Sequence, residues 1–275
     1  MTKSNNIIQN NVFKIKNQYI IYNLNVKESD KLVIFFPSVD TIPTRNIMSY
    51  YAFSEGLDAN VLHIVDNFGS HGNYLYSFIN QTIQLSVYEL IKKVLQELNI
   101  SLNNTYFVGS SKGGFCAIYY SLLFGNGNVI AGEPQIKLGD FLFRKGWESK
   151  EDCRAIIYAM TGQVNKSDKE KLNSILYSIT STAESYQGNI TVHYGIGTSY
   201  YNLHIKYINE IILCYSGSMS QINFVEHDIA SHNEIIPIFM KELNALNDTA
   251  LRPIVIKKAN LASQANKLLK FLKRS

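Results

Sequence analysis

The sequence is poor in the features that mark specialised chain classes. Its three cysteines, Cys116, Cys153 and Cys214, stand far apart. They offer no paired spacing for a metal and no even count for a disulfide framework, which predicts a reducing compartment and no metal centre. No window reaches the ~18 uncharged apolar residues of a spanning helix. The opening MTKSNNIIQNN is polar and lacks the apolar core of a secretory leader. No G-x-G-x-x-G follows the first strand-like run and no Lys-Ser/Thr pair closes a phosphate loop, so nucleotide sites have no support. Charge of either sign is scarce: net +4, with the excess in residues 251–275, where Arg252, Lys257, Lys258, Lys267, Lys270, Lys273 and Arg274 meet no acid. The rest of the chain is slightly acidic, which excludes a broad nucleic-acid footprint. These absences predict a cytoplasmic protein that needs no cofactor.

What is present is an apolar, core-forming chain, 46% hydrophobic over 275 residues, long enough for one large domain. Residues 12–26 read as a hairpin turning at Asn17-Gln18. KLVIFFPS (31–38), NVLHIVD (60–66), TYFVG (105–109), NVIAGEP (128–134), NITVHYGIG (189–197) and QINFVEHD (221–228) read as strands. Their continuous apolar runs are those of strands buried on both faces. Helical patterns fall near 45–55, over 81–99 with a stripe from Ile83 to Leu98, over 112–124, near 202–213 and over 233–247. Residues 136–187 read as a helical insertion placed where a lid would sit, with Ser167 and Glu170 as a capping box. The tail, 249–275, reads as a basic helix with Leu261, Ala265, Leu268, Leu269 and Leu272 on one face, able to dock on a membrane surface or protein partner. Strands alternating with helices predict one α/β domain with a mostly parallel sheet covered on both faces.

The run TYFVGSSKGGFCAIYYSLL (105–123) carries the chemistry. A serine that attacks a carbonyl must project its hydroxyl from a sharp strand-to-helix turn, in dihedrals that ordinary residues avoid. The flanking backbones then pass so closely that small residues are needed two places either side, and Gly109 and Gly113 stand there about Ser111. The Lys112 N–H, at the N-terminus of the new helix, can face a developing oxyanion; Ser38 or Val39, in PSVDT after the first buried strand, supplies the second donor.

In this arrangement a histidine follows the serine along the chain. Of six histidines, His63 and His193 lie within apolar strands and read as core; His204 falls on a helix face. His232, in EHDIASHNEIIPIF after the last strand, is the favoured general base, with His227 as the alternative. The acid is harder to place, because GTSYYNLH (197–204) has no carboxylate. Asp228 is favoured; Glu226 and Glu133 are usable, and Asn202 is a neutral orienter. GSHGNYLY (69–76) lies at a strand's C-terminal end, where α/β sheets bind ligands, so His71, Tyr74 and Tyr76 are candidate substrate contacts.

VGSSKGGFCAIYYSLLFG followed by NVIAGEPQIKLGDF, with DNFGSHGNYLY and SHNEIIPIF, resembles the α/β-hydrolase-like capsular polysaccharide biosynthesis proteins of the XcbB/CpsF type. More distantly it is similar to the acetyltransferase-like components of accessory secretion systems. The resemblance spans about residues 31–240. It implies a Ser-His hydrolase scaffold used in surface-glycan assembly, with Ser111 as nucleophile and His232 as base. Where the family carries an acidic pair, this chain has Ser199 and Tyr200. Two functions follow: an esterase or O-acyltransferase on an acylated, carbohydrate-linked substrate, or a weakly active scaffold in a glycan-assembly complex.

Overall fold

The computed structural model describes residues 10–40, 42–45, 47–180, 186–213 and 222–247. Cys214 and the tail with its expected basic helix lie outside the described residues. Eight strands form one sheet in the order β1-β2-β4-β3-β5-β6-β7-β8. They are β1 (Asn11–Ile15), β2 (Gln18–Asn25), β3 (Leu32–Phe35), β4 (Asn60–Ile64), β5 (Thr105–Ser110), β6 (Asn128–Gly132), β7 (Asn189–Gly195) and β8 (Ile222–His227). β1 and β2 form the opening hairpin and β2 runs antiparallel to β4. All pairings from β4 to β8 are parallel. The hairpin loop is Lys16-Asn17, one residue earlier than the sequence suggested, since Ile15 pairs with Gln18 and Lys16 takes a φ of 52°.

The apolar strands are buried because both sheet faces are covered. Side chains alternate across a strand, so Leu32 and Ile34 enter one core with α2 (Thr82–Glu97) and α3 (Lys112–Phe124). Val33 and Phe35 enter the other with α10 (Ile235–Asn244), through Phe239, Met240 and Leu243. α3 is apolar around its whole circumference and buried at every residue but Leu123, as expected of a central helix.

Between β6 and β7 lie α4 (Leu138–Leu142), a 3-10 turn, α5 (Glu151–Thr161), a second 3-10 turn, α6 (Lys169–Asn173) and α7 (Ile175–Thr180). Leu142, Ile156, Met160, Leu172, Ile175 and Leu176 join the sheet's larger core. The expected capping box does not form. Asn165 accepts the Ser167 N–H at 3.0 Å, and α6 starts behind Asp168 without a side-chain cap. The helix expected near 45–55 is only α1 (Tyr51–Ser54), and that near 202–213 is split into α8 (Tyr200–Leu203), a 3-10 turn and α9 (Ile208–Leu213). Among the described residues no helix is long and apolar enough to cross a membrane.

The chain leaves β3 for β4 on one side, then crosses to β5 on the other, so a topological switch lies between β3 and β5. The crevice beyond their C-terminal ends is where such sheets hold ligands, and both 37–40 and Ser111 emerge there.

Candidate functional site

Ser111 sits between the last residue of β5 and the first of α3, at φ 54° and ψ −116°. A non-glycine residue there is strained, and the surroundings hold it in place. Its N–H donates to the Gly132 carbonyl at 2.9 Å, and its own carbonyl accepts from Phe115 at 3.1 Å and Gln135 at 3.2 Å. The glycines are steric necessities. A Cβ on Gly109 would lie 2.5 Å from the Gly113 carbonyl carbon, and one on Gly113 would lie 2.6 Å from the Phe36 oxygen.

The loop after β6 crosses beneath this turn. Glu133, at φ 42°, is 0% exposed. Its Oε2 lies 2.5 Å from His232 Nδ1, while Oε1 accepts from the Gly195 N–H at 3.1 Å and the Thr198 hydroxyl at 2.5 Å. A carboxylate on Nδ1 fixes the tautomer: Nδ1 carries the proton and Nε2 keeps its lone pair. His232 opens the turn before α10 and is partly exposed. The Tyr200 ring stacks on its imidazole at 4.1 Å between centroids and 1° between planes.

The favoured acid from sequence is therefore displaced. Asp228 is exposed and Glu133 holds the imidazole instead. Glu226 accepts the Tyr194 hydroxyl at 2.8 Å, and Asn202 is exposed on α8. The alternative base, His227, belongs to a separate hydrogen-bonded series: its Nε2 meets His193 Nδ1 at 3.0 Å, and His193 Nε2 meets Glu242 at 2.7 Å. Burial, and then His193, press the His227 pKa below the usual histidine value. His63 stacks on Phe35 and His204 accepts the Lys137 N–H at 3.2 Å. Both are buried, and burial pushes each pKa down to about 4.

At the oxyanion side Lys112 begins α3, where backbone N–H groups have no partner within the helix. The Ser38 N–H is already committed to the Ser49 hydroxyl at 2.9 Å, which removes it as second donor. No hydrogen bond engages the Val39 N–H among the described residues. The Lys112 ammonium turns inward to Asp66 at 2.9 Å, and both side chains are buried. This ion pair ties the 66–76 loop to the serine turn.

Of the loop's three candidate substrate contacts, Tyr76 is a core residue, edge-on to Phe78 and Tyr119. Tyr74 is fully buried and donates to Gln135 Oε1 at 2.6 Å, so it supports the site from below. His71 lines a small cleft with Ser38, Asp40, Asp66 and Lys112, beside the turn. Its Nδ1 is held by the Asp40 carbonyl at 2.9 Å, and Asp40, gripped by the Arg45 guanidinium, has its carboxyl below the usual range. Sequence reasoning missed Gln135 and Tyr200. The signal for Gln135 was its place in GEPQ, two residues beyond an acid that follows a buried strand.

No protein-family model matches the chain, and no curated protein matches it in sequence. Solved structures do match in fold. The capsule O-acetyltransferase of Neisseria meningitidis serogroup A aligns with a TM-score of 0.69 at 19% identity, over 89% of this chain and 96% of that one. A chain of the Glycosylation Associate Protein (Gap123) complex from Streptococcus agalactiae aligns with a TM-score of 0.71 at 16% identity, over 86% of this chain and 46% of that one. FphF, a fluorophosphonate-binding serine hydrolase of Staphylococcus aureus, gives 0.54 at 11% identity, over 84% and 92%. The chain has the α/β-hydrolase fold. In this sheet Ser111 follows β5, His232 follows β8, and the carboxylate on His232 comes from the end of β6, while the loop after β7 supplies Thr198 and Tyr200.

Proposed function

We propose that the protein is a serine esterase or O-acyltransferase that works through an acyl-Ser111 intermediate on an acylated, carbohydrate-linked substrate in surface-glycan assembly. The observation that carries this reading is the buried Glu133 carboxylate on His232 Nδ1, delivered by the same loop that cradles the strained Ser111. His232 Nε2 takes the Ser111 proton as Oγ attacks the acyl carbonyl, then returns it to the leaving group. Glu133 stabilises the imidazolium formed between those steps. The Lys112 and Val39 N–H groups receive the oxyanion, and His71 contacts the substrate in the cleft beside them. A second half-reaction hands the acyl group to water or a sugar hydroxyl with the same residues in the same roles.

The substrate class is drawn from the neighbours. One is a capsule O-acetyltransferase, also solved as a histidine-to-alanine mutant in complex with CoA; another belongs to a glycosylation complex. The latter supports a protein partner as well, and a cytoplasmic location suits this assignment. The Glu133 carboxylate beside His232 weighs against the scaffold alternative. Labelling with a fluorophosphonate probe tests the reading. Wild type is expected to label, Ser111→Ala not at all, and His232→Ala at a rate lower by ~10² or more. Equal labelling of wild type and Ser111→Ala would end it.

A further inference from the structure

The mechanism leaves one buried charged pair unused. Lys112 Nζ meets Asp66 Oδ2 at 2.9 Å, and the two side chains are 3% and 1% exposed. Desolvating such a pair costs about as much as its attraction returns, so a neutral pair of similar volume would hold the fold as well. What the charges supply is fixed geometry, and both ends are tied further. Asp66 Oδ2 also accepts the Asn73 N–H at 2.8 Å, and Lys112 Nζ donates to the His71 carbonyl at 3.4 Å. Gly72, at φ 77°, passes so close that a Cβ there would overlap both charged groups. The 66–73 loop is thereby clamped onto the first residue of α3. From this loop the His71 ring reaches on to the next. A carbonyl can only accept, so His71 Nδ1 carries a proton and donates it to the Asp40 carbonyl at 2.9 Å. Beside it the Thr44 N–H donates to the Ser70 carbonyl at 2.6 Å. The Asp40 carboxylate, held by Arg45 and by the Ile42 N–H, closes that second loop on itself.

We propose, resting on the serine reading above, that Lys112, Asp66 and His71 form a brace that sets the spacing of the two oxyanion donors. The brace joins the residues where those donors stand. Lys112 supplies one with its backbone N–H, and Asp40 is the immediate neighbour of Val39, which supplies the other. Asp66 and His71 are therefore positioning residues, acting through the Val39 N–H. As Ser111 Oγ bonds to the acyl carbon and its proton passes to His232 Nε2, the carbonyl π pair moves onto its oxygen. Donors placed in advance stabilise that charge without reorganising, whereas a loop displaced by about 1 Å loses much of the effect. The brace itself makes no bond to the substrate and moves no proton.

The readout is fluorophosphonate labelling of Ser111 against probe concentration, which separates the maximal rate from the half-saturating concentration. Urea midpoints check the fold. Lys112→Met combined with Asp66→Asn removes both charges, keeps the Lys112 N–H and leaves the Asn73 N–H an acceptor. This double variant is expected to unfold at the wild-type midpoint or beyond it. It should label about 10- to 100-fold more slowly at saturation with an unchanged half-saturating concentration, as for an interaction felt only in the transition state. His71→Leu should show the same pattern. His71→Asn, which can set an amide N–H where Nδ1 stands, should recover most of the lost rate. Wild-type labelling by the double variant, or a rate that falls only together with the urea midpoint, overturns the brace. So does His71→Asn as slow as His71→Leu, or a His71→Leu effect confined to the half-saturating concentration. In each case a labelled wild type leaves the serine reading standing; a wild type unlabelled at Ser111 removes both.

Discussion

Glu133 illustrates how much a single side chain can decide. A fully buried carboxylate is costly unless its lone pairs are satisfied. This one accepts from the Gly195 N–H and the Thr198 hydroxyl on one oxygen and faces His232 on the other. A Glu133→Gln variant keeps the shape but turns the imidazole tautomer against its function, so the Ser111 labelling rate should fall by ~10³ or more. Asp228→Asn, at an exposed position, should stay within about twofold of wild type. Equal losses in the two variants would contradict the assignment. The turn around Ser111 and the loop that carries His232 were legible as structure because each has a local pattern. The carboxylate that meets His232 was not: distance along the chain favours Asp228, four residues from His232, over Glu133, and the parallel registers of β6, β7 and β8 close the longer separation. The same holds for Ser38, whose N–H is claimed by Ser49, a pairing no spacing rule foretells.

At the scale of elements, the β5–α3 turn works only while its backbones touch. Gly113 abuts the Phe36 and Pro37 carbonyls of the loop beyond β3, and Gly114 abuts Pro134 of the acid-bearing loop. Gly113→Ala should therefore push the loop beyond β3 away from the serine turn. A loss of about 1–3 kcal/mol in denaturant unfolding is expected, together with slower Ser111 labelling. Unchanged stability would mean the close approach is not needed. The strands were readable because apolar runs buried on both faces leave few alternatives. The helices of 136–187 were readable only as a stripe, since their starts depend on local bonds such as Asn165 to Ser167. GEPQIKLGDF, which carried the family resemblance, is in the structure the loop that brings Glu133, Pro134 and Gln135 under the serine. Its Gly139 is required by the close passage of the Lys169 carbonyl.

For the whole molecule, two of the buried histidines tie stability to pH. His63 and His204 have pKa values pushed down to about 4 in the folded chain, against about 6.5 when unfolded. Between these values the unfolded chain binds more protons than the folded one, so stability rises with pH across that window. As pH falls from about 6.5 toward 4 each histidine should remove on the order of 3 kcal/mol. Urea midpoints at pH 7.5 and 5 should therefore differ clearly, and a His204→Phe variant should show a smaller difference. A flat profile would place these rings in solvent.

The measurement closest to the central claim is mapping of the fluorophosphonate adduct by peptide mass spectrometry. Attachment at Ser111, abolished in Ser111→Ala and strongly slowed in Glu133→Gln, is the predicted result. An adduct on any other residue, or a folded protein left unmodified, would contradict it.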